Sequence, residues 1–110
     1  MIALAMMAEF VRGLNYQTGE SVYTACISTT AEDQAKCTGY LSGIADLEAL
    51  GEAAKVLPPT VCMPVGVPIA TVKDIVVQYY RANPGDRPLG AAGSIVIALS
   101  RAYPCPKNTA

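Results

Sequence analysis

Four cysteines are the feature of this sequence that most restricts its fold. They are Cys26, Cys37, Cys62 and Cys105, with the spacing C-x10-C-x24-C-x42-C. No two of them have the close spacing of a zinc knuckle, and there is no C-x-x-C redox motif. An even number of cysteines in a chain of 110 residues favours two disulfides in an oxidising compartment. Four buried thiols in a reducing compartment are the alternative, and the count alone leaves three pairings open.

The composition argues against several functional classes. Lys and Arg total 8 while Asp and Glu total 9, and this balance argues against a nucleic-acid or anionic-membrane partner. Histidine is absent, which removes the commonest general base, the commonest metal ligand and the usual partner of a serine or cysteine nucleophile. Hydrophobic residues make up 52% of the chain, as expected of a globular protein. We therefore predict a non-enzymatic globular domain that uses no cofactor.

The N-terminal segment allows two interpretations. Residues 1–8 read MIALAMMA, an apolar stretch without the basic residues that open an export signal. It is either the remnant of a signal peptide or an ordinary helix that packs on the body of the protein. No apolar run reaches the roughly 20 residues of a membrane helix. We divide the chain into an N-terminal segment (1–17), one helical domain (18–106) and a short tail (107–110).

Apolar residues recur at intervals of three and four, and this period predicts an all-α protein of about four helices. The first helix is predicted from Thr18 to Ser28. The second is capped by Thr30 and ended by Gly51. The third starts at Pro68 as its first helical residue and stops at 83–85, and the fourth runs from about Pro88 to Pro104. The predicted buried faces are Val22, Ala25 and Cys26; Cys37, Tyr40, Leu41, Ile44 and Leu47; Ile69, Val72, Ile75, Val76, Tyr79 and Tyr80; Leu89, Ala92, Ile95, Val96 and Leu99.

The order of these helices selects one disulfide pairing. Cys26 ends the first helix and Cys37 opens the second, so an antiparallel hairpin brings them together. Cys62 precedes the third helix and Cys105 follows the fourth, and a second hairpin brings these two ends together. We therefore predict the disulfides Cys26–Cys37 and Cys62–Cys105, one closing each hairpin of a compact bundle.

Several blocks of the sequence occur together with the cysteines in a recognisable order. They are CTGYLSGIAD at 37–46, CMPVGV at 62–67, the helix at 72–80, Asn83-Pro84, Ala91-Ala92 and Tyr103-Pro104-Cys105. Together they resemble the Rap/Tai family of small immunity proteins over residues 18–106. The sequence departs from the family in one place, because the capping pair Thr-x-x-Gln that usually opens the third helix is replaced by Pro68 and Thr71.

The resemblance implies a function that the residues alone do not show. Family members are periplasmic all-helical proteins, often homodimers, that protect bacteria from peptidoglycan amidases delivered by type VI secretion. The resemblance thus implies a cognate amidase effector as the protein partner, in a toxin–immunity pair. An acid-stress chaperone of the periplasm and a cell-envelope protein without a toxin partner are the alternatives. A low-pH aggregation assay and the neighbouring genes distinguish them.

The irregular segment from Gly51 to Pro68 is the predicted partner-binding surface, because loops on a rigid scaffold commonly carry recognition. Tyrosines at helical spacing are interpreted as core residues rather than interface anchors. A structural hydrogen bond at a helix end is the alternative to a partner contact for Asp46. The predicted partner-binding residues are Asp46, Glu52, Lys55, Met63 and Arg87.

Overall fold

The computed structural model describes residues 15–107, and the predicted signal-peptide remnant at Met1–Ala8 lies outside them. Within this range the chain forms an all-α bundle, as predicted. Its only extended pairing among the described residues is an isolated bridge between Thr18 and Gly90. The helices are α1 (Gly19–Ile27), α2 (Ala31–Ala53), α3 (Ile69–Ala82) and α4 (Ala91–Ala102), with a 3-10 turn at Pro84–Asp86 between α3 and α4.

Side-chain caps fix the first residues of α1 and α2. The Thr18 hydroxyl accepts from the Ser21 amide, and the Ser21 hydroxyl accepts in return from the Thr18 amide, both at 3.1 Å. At α2 the Thr30 hydroxyl accepts from the Asp33 amide at 3.2 Å. The Asp33 carboxylate accepts from the Ser28 hydroxyl at 2.7 Å. The Ser28 hydrogen bond, with help from Thr30, holds the pKa of Asp33 below its ordinary value of 3.8.

The starts of α3 and α4 differ from the prediction. Pro68 is the N-cap of α3 rather than its first residue, and its carbonyl accepts from the Val72 amide at 3.3 Å. No side-chain hydrogen bond caps α3, in keeping with the missing Thr-x-x-Gln pair. Helix α4 begins at Ala91 instead of Pro88. Leu89 lies in the connection, where its carbonyl bonds the start of α1, and its side chain is 44% exposed instead of buried.

The start of α1 is bound to the connection between α3 and α4. We call this contact the α1 clamp, formed by residues 17–20 and 87–91. In it, the Gly19 amide donates to the Leu89 carbonyl (2.8 Å) and the Glu20 amide to the Arg87 carbonyl (2.7 Å). In the opposite direction, the Ala91 amide donates to the Gln17 carbonyl (2.9 Å). A Cβ atom at Gly19 would lie 2.7 Å from the Tyr80 ring, so this close approach requires glycine.

All four helices contribute to one core. Its fully buried side chains are Tyr80, Leu41, Ile95, Leu99, Val22, Val72, Val76 and Cys37. Both predicted disulfides are formed, with Cα atoms 5.0 Å apart in Cys26–Cys37 and 4.9 Å apart in Cys62–Cys105. The pairing that the two hairpins predict is therefore confirmed.

The second half of α2 extends beyond this core. Helix α2 has 23 residues, whereas α3 has 14 and α4 has 12. At 1.5 Å per residue α2 is about 34 Å long, against about 21 Å and about 18 Å for its neighbours. Leu47 was predicted to be buried, but its side chain is 60% exposed. Gly51 was predicted to end the helix, but it lies inside α2 and is buried.

Candidate functional site

Exposed apolar side chains concentrate at the free end of α2 and in the irregular chain that follows it. We call residues 54–68 the α2–α3 connection. Leu47 and Leu50 on α2 are 60% and 64% exposed, and Val56, Leu57 and Val65 on the connection are 75%, 38% and 105% exposed. Exposed apolar residues grouped in this way mark protein-binding surfaces more often than scattered ones do.

The connection begins with a tight turn that brings it back over α2. The Val56 and Leu57 amides both donate to the Gly51 carbonyl, at 3.0 and 3.1 Å. Lys55 has a φ angle of 59°, the left-handed conformation that this kind of helix end requires. The Leu57 side chain occupies the place where a Gly51 Cβ atom would lie. Glycine at position 51 therefore allows the Leu57 side chain to pack against the helix where the chain folds back. Gly51 serves this close approach from inside α2, and the helix ends two residues later, at Ala53.

A carboxylate on α2 shapes the middle of the connection. The Glu52 Oε1 atom accepts hydrogen bonds from the amides of Thr60 and Val61, at 3.1 and 3.2 Å. The Thr60 hydroxyl donates to the Pro58 carbonyl at 3.1 Å, and prolines at 58, 59 and 64 restrict the backbone further. The connection therefore has a defined shape although it is irregular, and a pre-shaped loop loses less entropy when it binds.

The far half of the connection is attached to the chain beyond α4. The Cys62 amide donates to the Tyr103 carbonyl at 2.9 Å, and Cys62 forms its disulfide with Cys105. Val61 is buried, while Met63 and Val67 pack partly buried against the core. Between these anchors the chain projects outward at Val65, next to a turn in which Gly66 has a φ angle of 92°.

A cavity of about 150 Å³ lies between α2 and the connection. Glu48 and Glu52 on α2 line it together with Val61 and Met63 of the connection and Leu99 of α4. Two larger recesses lie elsewhere, one of about 200 Å³ between α1 and α2 and an open one of about 530 Å³ along α3 and α4. Neither of these is lined by residues of the connection.

The five predicted partner-binding residues occupy different environments. Asp46 and Lys55 are exposed on α2 and on the connection. The Glu52 carboxylate accepts hydrogen bonds from backbone amides of the connection, and Met63 packs against the core. The Arg87 guanidinium lies in the other connection, where it stacks 4.2 Å from the centre of the Tyr23 ring and its Nε donates to the Tyr80 carbonyl. The structure therefore places three of the five, Glu52, Lys55 and Met63, on or beside the α2–α3 connection.

The segment from Gly51 to Pro68 was predicted from the sequence as a binding surface, but Val56, Leu57 and Val65 were not singled out within it. On α2, Leu47 was assigned to the buried face, because a periodic pattern within one helix does not reveal which turns other elements cover, and Leu50 was not singled out. Prolines at 58, 59 and 64 and Gly66 were the sequence signal of a turn at this end.

The cysteines and the acidic side chains of the described residues are the groups that would form reactive thiols and metal sites. All four cysteines are in disulfides, so none supplies a thiol nucleophile or a metal ligand. Across residues 15–107 no group of three His, Cys, Asp or Glu side chains is placed to hold a metal ion. A search of the same residues finds no helix with the length and hydropathy needed to cross a membrane.

Comparison with known families gives one match, which covers nearly all of the described chain. The profile of a family described as Rap1a immunity proteins matches residues 18–105, from the N-cap of α1 to the last cysteine. No curated protein and no solved structure matches the chain significantly.

Proposed function

The chain belongs to the Rap1a immunity protein family, and from this premise we propose that it binds a peptidoglycan amidase delivered by type VI secretion and occludes its active-site cleft. The α2–α3 connection and the free end of α2 form the contact surface. Inhibition is steric, because a protein surface that covers a cleft excludes the substrate from it.

One observation carries this assignment of the surface. Three exposed apolar side chains, Val56, Leu57 and Val65, lie on a connection whose backbone is held at both ends, and Leu47 and Leu50 are exposed on the neighbouring end of α2. A few residues that become fully buried carry most of the affinity of an interface, and a group of exposed apolar side chains marks where such burial can occur. A connection fixed by Glu52 and by the Cys62–Cys105 disulfide presents such anchors without having to order first.

We place the protein in the periplasm, where an amidase that cleaves peptidoglycan acts. Two disulfides in a chain of this size suit an oxidising compartment. Fractionation of cells that express the full chain, with the two disulfides mapped in each fraction, tests the location. Recovery of the reduced protein in the cytoplasm alone contradicts it.

The family resemblance also supports a homodimer. Light scattering coupled to gel filtration distinguishes 11.5 kDa for one chain from twice that mass. A dimer that dissociates when the amidase is added shows that the two surfaces overlap, whereas a ternary assembly shows that they are separate.

The decisive experiment measures binding and protection against candidate type VI amidases, taken one at a time. Leu50→Asp and Val56→Asp each place a charge in the proposed contact surface. Ile97→Asp is the matched control, because Ile97 is a 43% exposed apolar residue on α4. We expect each surface variant to lose about 30-fold in affinity, the effect of one hot-spot residue. We expect the control to bind and to protect cells as the wild type does.

Two results contradict the proposal in different ways. If the wild-type protein neither binds any of these amidases nor protects cells that secrete them, the proposed function is wrong. If the wild type protects and both surface variants protect equally well, the function stands and the assigned surface is wrong.

A further inference from the structure

The two disulfides lie in different surroundings. Cys26 and Cys37 are inside α1 and α2, are 4% and 1% exposed, and belong to the core. Cys62 and Cys105 are both partly exposed and both lie in irregular chain, one in the α2–α3 connection and one beyond α4. A reducing thiolate must reach a disulfide sulfur to attack it. The Cys62–Cys105 disulfide is therefore the one open to reduction in the folded protein.

The two disulfides also differ in what they hold in place. Breaking Cys26–Cys37 frees no irregular chain, because each cysteine remains in a helix that packs in the core. Breaking Cys62–Cys105 removes the covalent link between the far half of the connection and the residues after α4, and leaves the weaker hydrogen bond from the Cys62 amide to the Tyr103 carbonyl. The near half keeps its bonds to Glu52 and Gly51. The structural effect of reduction is thus confined to the far half of the connection and the C-terminal residues.

We propose that the Cys62–Cys105 disulfide is a redox latch that positions the α2–α3 connection and that a dithiol reductant opens it while Cys26–Cys37 and the helical core stay intact. The effect of this disulfide on partner binding rests on the function proposed above. The reduction of the disulfide does not depend on that function. Reduction removes the covalent anchor next to Met63, whose remaining hold on the connection is its packing against the core, and so loosens the part that presents Val65 to solvent.

The chemistry is ordinary thiol–disulfide exchange. A thiolate of the dithiol attacks one sulfur of the Cys62–Cys105 bond, the S–S bond breaks, and a mixed disulfide forms as the other cysteine leaves as a thiolate. The second thiol of the reductant then displaces the first cysteine. The reductant becomes a cyclic disulfide, two electrons pass to the protein, and both cysteines take up protons as thiols.

The first experiment titrates the oxidised full chain with dithiothreitol, traps free thiols with an alkylating reagent and maps the peptides. We expect Cys62 and Cys105 to become alkylated at a reductant concentration about tenfold lower than Cys26 and Cys37. In the one-disulfide species, we expect the Cys62 amide to exchange hydrogen about tenfold faster, while amides of α2 and α3 keep their protection. Simultaneous reduction of both disulfides, or reduction of Cys26–Cys37 first, overturns the proposal.

A pair of variants tests the same point without a reductant. Cys62→Ser with Cys105→Ser should retain the helical circular dichroism of the wild type, with faster exchange in the connection alone. Cys26→Ser with Cys37→Ser is the matched control and should leave exchange in the connection unchanged. Loss of helical structure in the Cys62/Cys105 variant overturns the proposal, since the core is then not independent of the latch.

The amidase then tests the consequence for binding. We expect the one-disulfide species to bind about tenfold more weakly than the oxidised protein, because an unanchored connection must order on binding. Equal affinity refutes control of binding by the latch. Absence of binding by the oxidised protein refutes the proposed function instead, so the two failures are distinguishable.

Discussion

The buried pair formed by Tyr80 and Ser94 gives the sharpest prediction about stability. Their side-chain oxygens are 2.6 Å apart, and the residues are 0% and 6% exposed. The Ser94 hydroxyl also lies 3.2 Å from the Ala91 carbonyl, whereas the Tyr80 hydroxyl is 3.5 Å from that carbonyl. Loss of the Ser94 hydroxyl therefore leaves the Tyr80 hydroxyl without a good partner, whereas loss of the Tyr80 hydroxyl leaves Ser94 bonded to the Ala91 carbonyl.

The cost of each substitution follows from what remains unpaired. Tyr80→Phe leaves Ser94 bonded to Ala91, so it removes one hydrogen bond, at about 1 kcal/mol. Ser94→Ala leaves a buried phenol without a good partner, at about 2 kcal/mol. The double variant leaves no unpaired hydroxyl, and we expect it to cost about 2 kcal/mol, less than the two single costs together.

Urea unfolding followed by circular dichroism measures all four proteins under one condition, provided that the slope of the transition does not change. Ser100→Ala is the control, because its hydroxyl bonds only a carbonyl of its own helix at an exposed position, and its effect should stay within about 0.5 kcal/mol. A double variant whose cost equals the sum of the single costs within about 0.4 kcal/mol refutes the reasoning, since the hydroxyls are then not coupled.

Three further predictions concern the turn after α2 and the response to alkali. Gly51→Ala should destabilise the fold by about 2 kcal/mol, because the new Cβ atom displaces Leu57. Gly39→Ala is the control and should be neutral or stabilising, because nothing lies within 4 Å of its Cβ atom; equal effects of the two variants in urea unfolding contradict this account of the turn. Lys55→Gly should raise the free energy of unfolding by about 1 kcal/mol, because it relieves a left-handed backbone with φ of 59°, and a lower unfolding midpoint counts against it. Burial raises the pKa of Tyr80 above 10.0 in the folded protein, so the contribution of its neutral phenol to stability is complete below that pH and is lost as the pH rises further. The fall of the urea midpoint with rising pH should therefore be shallower in Tyr80→Phe, and an unchanged slope shows that Tyr80 does not cause the alkaline destabilisation.

The helices and the disulfide pairing could be predicted because both depend on local pattern and chain order. Thr18 and Thr30 cap the helices that they were expected to cap. Hairpin order was enough to select Cys26–Cys37 and Cys62–Cys105 from three pairings. The pairing of Cys62 with Cys105, 43 residues further along, needed only the assumption that consecutive helices form an antiparallel hairpin.

The exposed surface could not be predicted in the same way. The spacing of Leu47 on α2 matches the buried face, but its exposure depends on how far α3 and α4 extend along that helix. Glu52 was predicted as a partner-binding residue, and its role within the fold was missed because the Thr60 and Val61 amides that it accepts from lie eight and nine residues further along the chain. Gly51 is needed for close approach by Leu57, whereas a glycine near the end of a helical pattern more often marks a C-terminus.

The α1 clamp has a consequence for the order in which this protein is assembled as it is synthesised or threaded across a membrane from its N-terminus. The Cys26–Cys37 bond joins residues only 11 apart and needs the first two helices alone. The amides of Gly19 and Glu20, by contrast, find their acceptors at Leu89 and Arg87, which emerge after most of the chain. Among the described helices, α1 is thus the first to emerge and among the last to be completed. Until then the domain is an open chain with one early crosslink, and its final closure depends on residues near its C-terminal end.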